Sequence, residues 1–278
     1  MKGWRRWVLV VGVYLSLGAV LAVYVFPVYW TVVSSLKPLA ELTSRTPSLL
    51  PRRITWAHYS EVLAASLFAR FFWNSVVVAA GATALTALLA SLSGYALSRV
   101  RFWGQRLVAR LILLVYLFPG ILLVVPLYQM MTSIGLYNTR TSLMIIHVLF
   151  ALPFSVWTLK VFFDQVPADL EDAARIDGCS RLGVLWRIYL PLVRPAVATI
   201  AIFTFVVSWN EYMFSVVLLA DSHLQTLPVG LAAWTSTYAI NWGHVAAASV
   251  MTMVPVVVLF GLMGSMFVHG LTGGAVKG

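Results

Sequence analysis

Residues Val166–Pro191 read VPADLEDAARIDGCSRLGVLWRIYLP and lie between two long apolar segments. With Asp164 just upstream, this stretch holds five of the nine carboxylates in the chain: Asp164, Asp169, Glu171, Asp172 and Asp177. Pro167 suits the first turn of a helix, where its missing N–H is no loss. Asp169, Glu171 and Asp172 then favour that helix start through the macrodipole. Gly178 permits the left-handed backbone that ends a helix, and Ser180 is placed to cap a second one. Leu182, Leu185, Trp186 and Tyr189 recur at helical spacing and predict a single apolar face. Pro191 and Pro195 mark the return to apolar sequence. The stretch reads as helix, tight turn, helix, displayed outside its apolar surroundings.

Those surroundings read as membrane. The 278 residues are 61% hydrophobic and 10% charged, against about 25% charged in a soluble domain, and the mean hydropathy is +0.90. Six runs, at about 7–36, 71–98, 111–131, 142–163, 195–220 and 245–268, are long enough for the ~20 residues that a bilayer crossing needs. The expected fold is an all-α polytopic membrane protein, one domain over residues 1–278, with the polar loop 164–191 between spans 4 and 5. The net charge of +10 lies at the ends of apolar runs rather than in a patch, which argues for orientation signals and against nucleic acid. With the N-terminus inside, the inner segments hold thirteen of the nineteen Lys and Arg and the outer segments six. Both termini are therefore expected in the cytoplasm. The charge-free run Trp7–Leu36 is too long for the 7–15 residue core of a cleaved signal and is expected to stay as a span. Cys179 is the single cysteine, so no internal disulfide or cysteine-rich metal site is expected. His147 lies in span 4 and is expected to pack, while His58, His223, His244 and His269 show no zinc spacing, and the sequence reading contains no metal site.

The first helix of the loop carries Arg175 against several carboxylates, a balance that anionic lipid would repel. Leu170, Ala173 and Ala174 give it a small apolar side, suited to a groove on a water-soluble partner. Glu211 is the one acid within a span, and a membrane-embedded ionisable group is a functional position by default. It lies sixteen residues past Pro195, about 24 Å along a straight helix. There it is expected to face a wet pathway together with Trp209 and Asn210. The four lysines are followed by Gly3, Pro38, Val161 and Gly278, so no phosphate-binding G-x-x-x-x-G-K-[ST] exists. No clustered catalytic constellation appears within the spans, and the chain is not expected to be an enzyme. A stand-alone secondary transporter would want several charged coupling residues and inverted repeats; one buried acid and no clear repeat argue against it.

DAARIDG, nine residues, then IYLP resembles the EAA signature of ABC importer permeases, which reads E-A-A, three residues, G, nine residues, I-x-L-P. Asp172, Ala173, Ala174, Gly178, Ile188, Leu190 and Pro191 occupy its positions, with Asp172 in place of Glu. VPADLEDAARIDG, WNEY at Trp209–Tyr212 and GLTGGAVKG at Gly270–Gly278 are similar to the carbohydrate branch, resembling its maltose-type second permease subunit. The resemblance implies a permease subunit that moves an oligosaccharide or similar sugar delivered by an extracytoplasmic binding protein. Its implied partners are a second permease subunit in a heterodimer and two copies of a cytoplasmic ATPase. ATP and Mg are used on that ATPase, and this chain itself binds no cofactor. The implied coupling residues are Glu171, Asp172, Ala173, Ala174, Arg175, Gly178 and Pro191. Gly273, Gly274 and Lys277 in the tail would reach the ATPase. The implied location is the inner membrane of a prokaryote, crossed several times. Glycerol phosphate is the alternative cargo of the same machinery.

Overall fold

A chain crossing lipid must satisfy its backbone hydrogen bonds internally, and a helix does so within one segment. The computed structural model describes residues 2–64, 67–235 and 240–272, and among these it contains helices and no strand. In chain order they are α1 (Lys2–Ser35), α2 (Leu39–Leu42), α3 (Ala57–Ala64), α4 (Phe68–Arg99), α5 (Gln105–Tyr116), α6 (Val124–Ser133) and α7 (Arg140–Asp164). There follow α8 (Ala168–Ile176), α9 (Arg181–Val184), α10 (Leu190–Leu192), α11 (Arg194–Trp209), α12 (Met213–Leu218), α13 (Leu227–Thr235) and α14 (Trp242–Thr272).

Among the described residues, four helical stretches are long and apolar enough to span: Trp7–Ser35, Phe68–Arg99, Arg140–Asp164 and Trp242–Gly264. Two bent pairs bring the number to six, matching the expected layout of a polytopic helical membrane protein. The first bend falls inside the expected span 3, and the second falls where Pro191 and Pro195 mark the return to apolar sequence. Span 3 turns by 93° between α5 and a 3-10 turn at Gly120–Leu123 that leads into α6. Pro119 sits at that corner in extended backbone, as proline and its predecessor resist helix continuation. The second bend, 84°, separates Arg181–Leu192 from α11. Span 5 is also interrupted further on: α11 stops at Trp209 and α12 restarts at Met213.

The chain divides into two compact units, residues 1–68 with 231–254 and residues 69–230 with 255–278. In the first, the connection after α1 is tied down by polar contacts. Lys37 is almost fully buried, its ammonium lies 4.5 Å over the Trp30 ring, and its Nζ donates to the Ser48 carbonyl. Ser35 and Tyr59 share a hydroxyl hydrogen bond of 2.7 Å. Glu41 accepts from the Ser48 hydroxyl and from the Arg52 N–H. Those donors, Ser48 first, hold its carboxyl below the usual carboxylate range.

In the second unit, small residues on α4 (Ala79, Ala82 and Ala90) are fully buried, which lets neighbouring helices approach closely. Tyr95, Leu159, Phe163, Val184, Leu185, Tyr189 and Ile200 form one buried cluster beneath the loop 164–191. That cluster is what positions α8.

Candidate coupling site and the polar cluster of span 5

α8 begins after Pro167, carries Asp169 and Glu171 in its first turn and Arg175 in its last, the arrangement that complements a helix dipole. It ends at Gly178, whose φ of +85° lies in the left-handed region. A side chain there meets no atom within 4 Å, so the demand for glycine is conformational rather than steric. The Ser180 hydroxyl then accepts from the Gly183 N–H at 3.1 Å and caps α9. Helix, tight turn and helix are all present as the sequence predicted.

The structure separates the seven loop residues into two sets. Asp172, Ala173, Arg175 and Gly178 are exposed, as is Pro191, while Ala174 is buried and Glu171 half-buried. Glu171 was grouped with Asp172 as a second partner-facing acid. Its carboxylate instead turns inward and accepts from the Tyr95 hydroxyl and from the Tyr189 hydroxyl, both at 3.0 Å. The two phenol rings lie 5.3 Å apart, edge to face, and Phe163 packs its ring against each. Ala174 likewise serves the chain's own core, and Leu170 and Ala173 stay outside.

The apolar face predicted for the second helix also divides. Leu185 and Tyr189 are fully buried, whereas Leu182 and Trp186 are more than half exposed. Residues Leu185–Tyr189 form a π turn, whose wider i→i+5 bonding shifts the periodicity that the sequence pattern assumed. Two features were missed. Ile176, at the tip of α8, is 87% exposed, and with Leu170 and Leu182 it adds an apolar surface beside the charges. Arg99, at the end of α4, donates to the carbonyls of Phe163 and Val166 and lies 5.1 Å over the Tyr189 ring. It closes the C-terminal carbonyls of α7. Asp164 adds two ties, from Ser98 at 2.6 Å and from Lys160 at 2.6 Å. The loop is thus fastened to α4 and α7 from inside and bare outside.

Span 5 shows the opposite use of an acid. Glu211 sits in the gap between α11 and α12 and accepts from the N–H groups of Phe214 at 2.7 Å and Ser215 at 3.0 Å. The Ser215 hydroxyl adds a third bond at 3.1 Å. A carboxylate over the first free N–H groups of a helix is the favoured dipole arrangement. His147, buried in α7, approaches it at 3.5 Å through Nε2 and meets the Ser208 hydroxyl through Nδ1. The sequence reading had left His147 as packing. Trp209, expected at a wet pathway, is 1% exposed and packs on Phe205 at 5.5 Å and Phe72 at 5.7 Å. Asn210 is exposed and donates to the Val206 carbonyl at 2.8 Å. Gly273, Gly274 and Lys277 lie outside the described residues.

A second polar cluster lies outside the coupling loop. His58, Glu61 and His244 bring potential metal-ligating atoms within 4.8 Å of one another. Sequence spacing hid this because His244 lies 183 residues from Glu61.

Residues 86–266 match the family described as "Binding-protein-dependent transport system inner membrane component". The chain is 38% identical over 270 residues to the inner membrane ABC transporter permease protein YcjP of Escherichia coli (strain K12), covering 96% of each. It is 36% identical over 269 residues to the trehalose/maltose transport system permease protein MalG of Thermococcus litoralis, covering 95% of this chain and 96% of that one. Against a chain of a bacterial ABC transporter involved in import of the acidic polysaccharide alginate, the TM-score is 0.84 at 25% identity, over 96% and 98% of the two chains.

Proposed function

The chain belongs to the inner membrane components of binding-protein-dependent transport systems, and from that premise we propose that it is the permease subunit of an ATP-driven carbohydrate importer. It is a multi-pass inner membrane protein and a transport subunit rather than a catalyst. A carbohydrate cargo is supported by relatives whose names carry trehalose, maltose and diacetylchitobiose transport, and by the alginate importer. The two compact units are read as parts of one permease domain, 1–278.

The observation that carries the mechanism is the two-sided construction of α8. Its inner side is tied to Tyr95 on α4 and to Tyr189, so a push on α8 is passed to the spans rather than absorbed by a slack loop. Its outer side offers Asp172, Ala173, Arg175 and Ile176. A small apolar tip with a charged rim fits a cleft in a cytoplasmic ATPase. In this reading Asp172 and Arg175 make polar contacts there, Ala173 allows close approach, and Gly178 fixes the exit angle. Glu171 and Ala174 hold the helix on its own chain, and Pro191 belongs to the exposed part of the coupling loop. Two ATPase copies supply ATP and Mg chemistry, a second permease completes the pathway, and an extracytoplasmic binding protein delivers the sugar. The charge balance supports a cytoplasmic placement of both termini and the loop 164–191. Asn210 and Glu211 border the pathway, Trp209 supports them from the core, and the tail residues Gly273, Gly274 and Lys277 reach the ATPase.

The test is reconstitution of the chain with its partner permease and ATPase in liposomes. ATP hydrolysis and sugar uptake are measured with and without loaded binding protein, for wild type and Gly178→Val. A β-branched residue at positive φ is strongly disfavoured, so the variant is expected to assemble but lose stimulated hydrolysis and uptake. Sugar flux by this chain without ATPase or ATP would overturn the reading.

A further inference from the structure

We propose that His58, Glu61 and His244 form a binding site for a divalent transition metal of the zinc type, tying α3 to the start of α14. His58 and Glu61 stand three residues apart on α3, so they share one face of that helix. His244 lies in the first turn of α14. The ligand-capable atoms of the three lie within 4.8 Å of one another, and His244 Nε2 is in direct contact with a Glu61 carboxylate oxygen. The His58 and His244 rings meet edge to face at 5.7 Å.

The second observation concerns the protonation geometry of His58, which is 5% exposed. Its Nε2 lies 2.9 Å from the Lys37 carbonyl. A carbonyl only accepts, so that nitrogen carries the hydrogen and Nδ1 keeps its lone pair. Nδ1 is buried with no hydrogen-bond partner. A ring N–H held by a backbone carbonyl while the other nitrogen stays bare is how proteins orient a metal-binding imidazole. A buried lone pair without a donor is otherwise a standing cost.

The surroundings fix the other ligands too. Asn241 Oδ1 accepts from the N–H groups of Gly243 and His244 at 3.0 and 3.3 Å, which sets the turn into α14. The Asn241 amide also approaches His244 Nε2 at 3.3 Å, a long contact that a metal would replace. Gly243 allows the approach of His58, since a Cβ there would fall 2.2 Å from the imidazole. Two imidazoles and one carboxylate are borderline donors that suit Zn²⁺ and disfavour Mg²⁺ or Ca²⁺, which take oxygen ligands. Three protein ligands leave a fourth position for water or another donor.

The inference stands apart from the coupling reading and is tested without transport. The purified permease complex, stripped with chelator, is titrated with Zn²⁺ alone against a chromophoric competitor, and its thermal unfolding is followed with and without Zn²⁺. Wild type is expected to bind one equivalent per copy of this chain and to unfold at higher temperature when loaded. Glu61→Gln and His244→Gln, which nearly preserve side-chain size, are each expected to weaken binding at least ten-fold and to abolish the thermal shift. His223→Gln, remote in sequence, keeps both. Co²⁺ is expected to give visible d–d bands with wild type and none with Glu61→Gln. Equal Zn²⁺ affinity in wild type and Glu61→Gln overturns the proposal, as does equal protection by Mg²⁺.

Discussion

Glu171 sits in a polar loop and Glu211 within an apolar span; both are satisfied by the chain itself, yet they do opposite things. Glu171 collects one hydroxyl from α4 and one from the turn at Tyr189, partners 76 and 18 residues away. It fastens separate pieces together. Glu211 takes three bonds from residues three and four positions ahead and one longer contact from His147 on α7. It makes a break in a span tolerable. A loop that transmits force needs the first kind of contact, and a span that bends needs the second.

Removing each acid separates the two roles. Glu171→Ala is expected to cost the most stability. It leaves two buried phenol hydroxyls without an acceptor, a loss of about 2–3 kcal/mol, visible as a lower unfolding midpoint of the purified complex. Glu171→Gln is expected to fall between, because its one carbonyl oxygen satisfies one phenol and its amide cannot accept from the other. A midpoint for Glu171→Ala equal to wild type would mean the tyrosines are not what holds α8. Glu211→Ala removes a helix cap and its charge-assisted bonds, about 1–2 kcal/mol. Because the loss is local, it is expected to raise hydrogen exchange in 211–218 more than in α8. Protection lost equally in both would erase the distinction between tie and cap.

The same contrast explains what could be read from sequence. The turn of the coupling loop announces itself through Pro167, Gly178 and Ser180, residues whose local chemistry forces a helix start, a left-handed exit and a cap. The bend in span 3 carries Pro119 and Gly120, but inside an apolar run these were read as part of a span. The interruption of span 5 has no glycine or proline at Asn210–Tyr212. It exists because Glu211 folds back on the next turn, and nothing in a hydropathy pattern encodes that. The partners of Glu171, the role of Arg99 and the pairing of His147 with Glu211 depend on contacts between distant segments, which periodicity does not contain. The π turn at Leu185–Tyr189 moved Leu182 and Trp186 outward for a related reason, since a regular 3.6 period was assumed. Gly178→Ala fits between these cases. With open space around it, the substitution meets only the penalty of positive φ, about 1 kcal/mol, checked by the same unfolding measurement.

The smallest expected change in stability belongs to Asp172, and it sharpens the comparison furthest. Asp172 neighbours Glu171 in sequence but is exposed, about 100° around α8 from it. Surface substitutions away from caps and buried networks usually shift stability by no more than about 0.5 kcal/mol. Asp172→Ala should therefore leave the unfolding midpoint unchanged while lowering the ATPase stimulation produced by loaded binding protein. Glu171→Ala should lower both, because a loosened helix neither folds as well nor transmits as well. If Asp172→Ala alters stability as much as Glu171→Ala, the outer side of α8 is also part of the chain's own packing, and no bare docking face exists. If it alters neither stability nor coupling, the contact with the ATPase rests on Ala173, Arg175 and Ile176 alone. The adjacent pair then asks in two substitutions whether one short helix is held by one side and worked by the other.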